Sequence, residues 1–322
     1  MVPPRAEVVH IGSACRDVVP EDPRGWRLGG GVTYASLTTA RLGLRTAAIV
    51  GVDSTAATAS ELDLLRDAGV DLRLVPLAEG PIYHNVETPT GRVQTCVQTG
   101  VPLPVPDVPA AWRSAPGWSV VPVAGEIADD WLGVIPEEAH LAVAWQGFLR
   151  NLAPGERVTR RPPEPSAILR RADLVGVSHH DVAAHTSLAE LDDMLHPGAY
   201  LLVTQGSEGG LLIHLGDDSG PTETLRYLPT ATRQEIDPTG AGDTFLAALQ
   251  ASVLRPAIAG RHRSRRRPDL RFAAAAGSLV VEGLGLDGVP DRAAVLVRRA
   301  RERIRRAVLP TEVSQVGAVD PS

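Results

Sequence analysis

The chain has 322 residues, 43% of them hydrophobic, and a formal net charge of −6. That length holds a full core and suits one large α/β domain with a small appendage better than two equal domains, while the acidic balance argues against general nucleic-acid binding. All 32 basic residues are arginine, so a Walker-type Gly-Lys-Ser/Thr loop, a Schiff-base enzyme and a protein-kinase lysine are excluded in their usual forms. Two cysteines, Cys15 and Cys96, supply neither a disulfide framework nor a zinc quartet. No apolar run reaches the length of a membrane span and residues 1–5 lack the apolar stretch of a signal peptide, so no membrane contact and a cytoplasmic location are expected.

In chain order, apolar runs predict strands over residues 8–12, 47–50, 119–123, 141–144, 174–177 and 201–204. Helical spacing predicts helices over 34–41, 60–68, 168–172, 187–195, 244–254, 270–282 and 291–307. Between the early and middle strands, residues 82–97 read as two strands around a Pro-Thr-Gly turn. Alternating strands and helices build a mostly parallel central sheet flanked by helices, with ligands at the carboxyl ends of the strands. The expected organisation is a single α/β domain over 1–308, a small β-lid element around 15–30 and 80–100, and a tail over 309–322.

The stretch Asp237-Pro238-Thr239-Gly240-Ala241-Gly242-Asp243-Thr244-Phe245 carries the most chemistry. Gly240 and Gly242 leave no side chain in the way of a ligand, and the apolar run that follows starts a helix whose first-turn N–H groups are unpaired. Those amides make an anion site, and Asp243 beside them is a carboxylate that the helix dipole should keep ionised and able to accept a proton. The same string also suits a plain turn with a capped helix behind it.

Asp-x-Thr-Gly-Ala-Gly-Asp-Thr-Phe resembles the C-terminal signature of the ribokinase-like (PfkB) carbohydrate kinases. Further segments follow in that family's order: 8–12 as first strand, Leu28-Gly29-Gly30-Gly31 leading into a helix that ends near Leu42-Gly43, Thr204-Gln205-Gly206-Ser207-Glu208-Gly209 as nucleotide turn, and an Ala-rich helix closing at Leu284-Gly285. The resemblance implies a ribokinase-like fold and an ATP- and Mg²⁺-dependent kinase acting on a small polyol or sugar. It makes Asp243 the base and the amides of Gly240, Ala241 and Gly242 the anion hole. It also implies substrate contacts from Asp17, Gly29, Gly30, Tyr34, Asn85, Arg92, Gln94 and Arg150, nucleotide contacts from Thr204, Gly206, Gly209 and Thr239, and a homodimer formed through the lid. A nucleoside kinase of the same fold, or a nucleotide- or polyol-binding regulator without turnover, is an alternative.

Departures from the family pattern bear on substrate and metal. Tyr34 stands where many sugar kinases have Asn, and with Asn85, Arg92, Gln94 and Gln146-Gly147-Phe148-Leu149-Arg150 the chain is similar to a branch that includes plant inositol kinases, which makes an inositol-like acceptor the favoured one. Ser178-His179-His180-Asp181 replaces the usual Asn-x-x-Glu, leaving Asp181 as an outer-shell Mg²⁺ contact through water. His179, His180 and His185 also raise a transition-metal site, although His180 and His185 are five apart and miss a common helical face. The basic run 261–267 follows the helix that starts at the anion site and reads as a solvated loop or a docking site for an acidic partner.

Overall fold

The computed structural model describes residues 5–88, 91–182, 186–218, 220–260 and 267–306. Strands in chain order are β1 (Val8–Ser13), β2 (Cys15–Val18), β3 (Trp26–Gly29), β4 (Thr46–Val52), β5 (Asp71–Pro76), β6 (Ile82–Thr88), β7 (Gly91–Gln98) and β8 (Gly117–Val120). They continue as β9 (His140–Ala144), β10 (Arg150–Asn151), β11 (Thr159–Arg160), β12 (Leu174–Ser178), β13 (Tyr200–Thr204), β14 (Gly210–His214) and β15 (Glu223–Tyr227). The helices are α1 (Gly31–Arg41), α2 (Glu61–Asp67), α3 (Ala167–Arg171), α4 (Leu188–Asp192), α5 (Ala241–Leu254), α6 (Leu270–Val280) and α7 (Arg292–Arg306).

One sheet has the strand order β15-β14-β13-β12-β9-β8-β1-β4-β5. From β13 through β5 all neighbours are parallel, while β14 and β15 extend the sheet antiparallel. Every residue of β1 and β4 is buried, as expected for strands covered on both faces. Their side chains alternate between two cores. Val8, Ala48 and Val50 pack with α1, α5 and α6, and Val9, Ile11, Ala47 and Ile49 pack with Trp118, Trp131 and α3.

The lid is a separate sheet of order β3-β2-β6-β7. Two ion pairs tie it to the main body. Arg16 meets Asp53 at 2.8 Å, and Arg24 reaches both carboxylate oxygens of Glu61 at 2.6 and 2.7 Å. Glu61 also accepts the Leu28 amide, so the start of α2 grips the strand that delivers the glycine run.

All six predicted sheet strands and the hairpin are present, with one shortened. The strand expected over 119–123 ends at Val120, because Pro122 has no amide to donate and the buried Glu126 carboxylate takes the amides of Val123 and Ala124 instead. Strands β5, β14 and β15 lie outside the predicted runs, while β2 and β3 fall within the lid element expected around 15–30. Exposed faces hide the apolar alternation in β15, whose Glu223, Thr224, Leu225 and Arg226 all face solvent. His185, residues 261–266 of the basic run and the tail 309–322 lie outside the described residues; Arg267 pairs with Glu223 at 3.7 Å. Among the described residues no helix is long and apolar enough to cross a membrane.

Candidate active site

The parallel strands end on one side of the sheet, and the chain leaves each end carrying a candidate group. Ser13 at the end of β1 leads to Asp17, Ala144 at the end of β9 leads to Gln146 and Arg150, Ser178 at the end of β12 leads to Asp181, and Thr204 closes β13. Loop 228–240 then brings the glycine turn to the same rim.

That turn is fixed by Asp237. Its Oδ1 accepts the Thr239 amide at 2.9 Å and its Oδ2 accepts the Gly285 amide at 3.1 Å, while the Ile236 amide donates to the Val281 carbonyl at 2.7 Å. The turn is thus pinned to the far end of α6. Gly240 caps α5 in the left-handed region (φ 78°), and a Cβ there would lie 2.2 Å from the Tyr34 ring, so no other residue fits without displacement. Gly242 is different. It has no need of positive φ, and a Cβ would meet nothing within 4 Å, so the space above the first turn of α5 is open. The Ala241 amide makes a long bond of 3.3 Å to the Pro238 carbonyl, which leaves Gly242 as the amide best placed for an anion.

Asp243 follows at the foot of this opening. A Cβ on Gly31 would come within 2.7 Å of Asp243 Oδ1, so the carboxylate rests against the start of α1 and the third glycine of the run makes room for it. Among the described residues no other residue hydrogen-bonds this carboxylate. Burial pushes its pKa up to about 6; the Arg150 guanidinium opposes that rise and the Asp181 charge adds to it. The carboxylate is still ionised at neutral pH, as expected for the start of a helix, but its pKa lies above the ordinary carboxylate range. Desolvation between α1 and α5 outweighs a dipole that acts only at the helix end.

On the lid side, Gln94 donates to Asn85 Oδ1 at 2.7 Å and Asn85 donates to Asp17 Oδ1 at 3.0 Å. The relay orients Asp17 from across three strands. Gly29 pairs with Cys15 next to it, and a Cβ on Gly29 would fall 2.3 Å from Asp17 Oδ2. Gly30, at φ 105°, turns the chain from lid to α1 with Ser13 and Ala14 close against it. Tyr34 is 2% exposed and lies near Asp237, Asp17 and Asp243, which together with burial raise its pKa well above the ordinary phenol value. Arg92 takes its place opposite Glu87 in the hairpin register, and its side chain lies outside the described residues.

Arg150 donates to the Val123 carbonyl at 3.0 Å and stacks its guanidinium over Tyr83, 5.4 Å from the ring centre. Asp181 accepts from Gln146 Nε2 (3.1 Å) and from the Ser178 amide (3.3 Å). Thr204 pairs with Ser178, and its carbonyl accepts the His179 amide at 3.0 Å. Gly206 (φ 56°) and Gly209 (φ 91°) turn the chain into β14, with the Tyr227 carbonyl 2.1 Å from where a Gly209 Cβ would be. Every predicted site residue with a described side chain thus lies on this rim, in the lid above it or in the turns that border it.

Sequence reasoning missed Glu126 and took Gln146 as a mark of resemblance and not as the partner of Asp181. Glu126 is 5% exposed and collects the amides of Ser13, Val123 and Ala124; burial nonetheless raises its pKa. With Arg150 and residues 99–102 it lines a cleft of about 260 Å³ beneath the lid. An Ala-Gly-Glu turn gives no sign that its carboxylate is inside. Among the described residues no group of three or more His, Cys, Asp or Glu gathers into a metal centre, and the rings of His179 and His180 lie 3.7 Å apart, tilted by 40°.

Comparison with known proteins bears on the fold that carries these residues. The family profile described as pfkB family carbohydrate kinase matches residues 154–292. A probable fructokinase-2 of Arabidopsis thaliana is 27% identical over 157 residues, 47% of this chain and 45% of that protein. The chain spans about half the length, or less, of the curated relatives it matches. Among solved structures, a pyrophosphate-dependent kinase in the ribokinase family, complexed with a pyrophosphate analog and myo-inositol, superposes with a TM-score of 0.69 at 20% identity, covering 90% of this chain and 99% of that one. The Arabidopsis thaliana ribokinase complexed with ribose and ATP gives a TM-score of 0.62 at 19% identity, covering 92% and 99%. The fold is ribokinase-like.

Proposed function

We propose that this chain, whose residues 154–292 match the pfkB family carbohydrate kinase profile, transfers a terminal phosphoryl group from ATP to a hydroxyl of a small polyol or sugar, with an inositol-like acceptor favoured. The observation that carries the reading is the Asp243 carboxylate, hydrogen-bonded by no other described residue and raised to about 6, directly after an open Gly242. A base with that pKa is ionised at neutral pH yet basic enough to take a proton from an alcohol as its oxygen bonds to phosphorus.

Asp17, aimed by Asn85 and Gln94, holds acceptor hydroxyls from the lid side, with Gly29, Gly30, Tyr34 and Arg92 around it. Asp243 accepts the proton. The Gly242 amide, helped by Gly240, Ala241 and the start of α5, holds the transferring phosphate, and Arg150 offsets negative charge between the two carboxylates and the donor. Thr204, Gly206, Gly209 and Thr239 border the donor. In-line transfer asks for positioning and charge neutralisation, which these groups supply without lysine. With one partly engaged carboxylate, Asp181, at hand, a Mg²⁺ ion fits this site only if donor phosphates and water fill most of its shell; when bound it neutralises phosphate charge.

Pyrophosphate is the second donor to consider, since one close structural neighbour is pyrophosphate-dependent. Pairing of two lids into a homodimer is part of the same reading, and the partly exposed Val86 and Val97 on the lid strands support it. The experiment is a phosphotransfer screen: ATP and pyrophosphate as donors, and myo-inositol, hexoses, ketoses and nucleosides as acceptors, read by product mass. Turnover of myo-inositol above ribose and fructose supports the reading. Turnover of nucleosides alone replaces it with a nucleoside kinase, and nucleotide binding without product with either donor replaces it with a regulator.

A further inference from the structure

Tyr34 brings an aromatic ring against the anion turn, and its surroundings are unusual for a buried phenol. The residue is 2% exposed, yet its hydroxyl has no hydrogen-bond partner among the described residues and is not among the side-chain atoms sealed away without one. Buried tyrosine hydroxyls ordinarily find an acceptor. The other buried tyrosine of the lid junction does, since Tyr83 donates to the Val123 carbonyl at 2.8 Å. Tyr34 instead stands in the field of Asp17, Asp243 and Asp237 without bonding any of them, and a donor among three carboxylates is primed to meet an oxygen brought into the space they border. The ring has a second contact. Gly240 sits on it so closely that a Cβ at Gly240 would overlap Cδ1, Cε1 and Cγ of the ring. The wall of the acceptor pocket and the support of the anion turn are therefore one side chain.

We propose that Tyr34 is the specificity-determining residue of the acceptor pocket, its hydroxyl donating to an acceptor oxygen other than the one phosphorylated while its ring props Gly240 and with it the amides of the anion turn. This rests on the kinase reading for the identity of the pocket, and it adds what that reading leaves open: which group selects the acceptor, and why a bulky ring is tolerated beside the glycines. A bound polyol satisfies the phenol, and the phenol in turn fixes the wall against which the phosphate-binding turn is folded. Acceptors without an oxygen at that point leave a buried donor unpaired and are rejected.

Two substitutions separate the two roles. Tyr34→Phe removes the hydroxyl and keeps the prop; Tyr34→Ala removes both. Calorimetric titrations of wild type and both variants with myo-inositol, D-ribose and D-fructose, and separately with ATP and pyrophosphate, give the readout, with thermal melts to establish that each variant is folded. For Tyr34→Phe the expected result is about tenfold weaker binding of whichever acceptor the wild type holds best, and a narrowed preference among the three, with donor affinity unchanged. Tyr34→Ala should weaken ATP or pyrophosphate as well, although Tyr34 is not placed in contact with the donor. Acceptor affinities in Tyr34→Phe equal to wild type would overturn the hydroxyl's role, and unchanged donor affinity in a folded Tyr34→Ala would overturn the prop. Failure of the kinase reading looks different: wild-type protein that binds these compounds and transfers no phosphate from either donor.

Discussion

The glycine turn at the start of α5 and the lid strand pair β6–β7 both serve the rim of the sheet that carries the candidate residues but are built in opposite ways. The turn is backbone, held from behind by the buried helices α5 and α6 and by the Asp237 bonds to Thr239 and Gly285. The lid presents side chains, a relay from Gln94 through Asn85 to Asp17, and is joined to the body by the Arg16–Asp53 and Arg24–Glu61 pairs. Backbone amides at a helix start recognise negative charge of any shape, whereas a relay of amide and carboxylate side chains recognises hydroxyls in particular places. The turn and Asp243 should therefore govern rate, and the lid, together with Tyr34 on α1, should govern which molecule is accepted.

The sharpest way to break that division is Asp243→Asn, which keeps shape and removes the base. Turnover should fall on the order of a hundred- to ten-thousand-fold while acceptor and donor affinities hold, as measured by product formation beside calorimetry. Near-normal turnover would move the base elsewhere. The same substitution carries a stability signature. Asp243 has a folded pKa raised from 3.8 to about 6, so the stability of its protonated form is present below 3.8 and is lost as pH rises through about 6. Asp243→Asn should gain stability relative to wild type at pH 8 and show no gain at pH 3.5 in denaturant titrations. For wild type, the rate should fall as pH drops through about 6, because the ionised form is the active one.

Next in size are the two glycines, which separate fold from site within the turn itself. Gly242→Ala adds a methyl where nothing lies within 4 Å, so the melting temperature should hold or rise while the KM for the donor climbs roughly tenfold. Gly240→Ala forces a side chain into left-handed backbone and into the Tyr34 ring, and should cost roughly 1–3 kcal/mol of stability as well. Equal effects on stability from the two changes would remove the distinction.

A smaller effect is expected on the lid. Asn85→Leu breaks the relay between Gln94 and Asp17, and should raise the KM for myo-inositol by about five- to tenfold with kcat within about twofold, since one hydrogen-bond link is lost and the base is untouched. A kcat loss that exceeds the KM change would show the lid to be part of the phosphoryl-transfer machinery. The smallest is Asp181→Ala, which should raise the Mg²⁺ concentration for half-maximal rate by a few-fold, consistent with one carboxylate already shared between Gln146 and Ser178. Unchanged Mg²⁺ dependence would place Asp181 outside the metal's surroundings.

Local chemistry in the sequence determined a good deal. The buried parallel strands announced themselves because strands covered on both faces are continuous apolar runs, and the turn at 237–243 was legible because left-handed backbone and an open helix start both demand small residues at fixed spacing. Tertiary structure alone decided the rest. Gly31 reads like its neighbours in the run until Asp243 is seen lying against it, from far along the chain. Glu126 and Gln146 look like surface residues and become an interior clamp and the orienting partner of Asp181. The raised pKa of Asp243 was not legible in the sequence, because desolvation depends on what packs around a carboxylate and a dipole depends only on its own helix. Spacing along the chain fixes conformation over a few residues, but burial, charge coupling and hydrogen-bond relays are set by whichever distant segments the sheet order brings together.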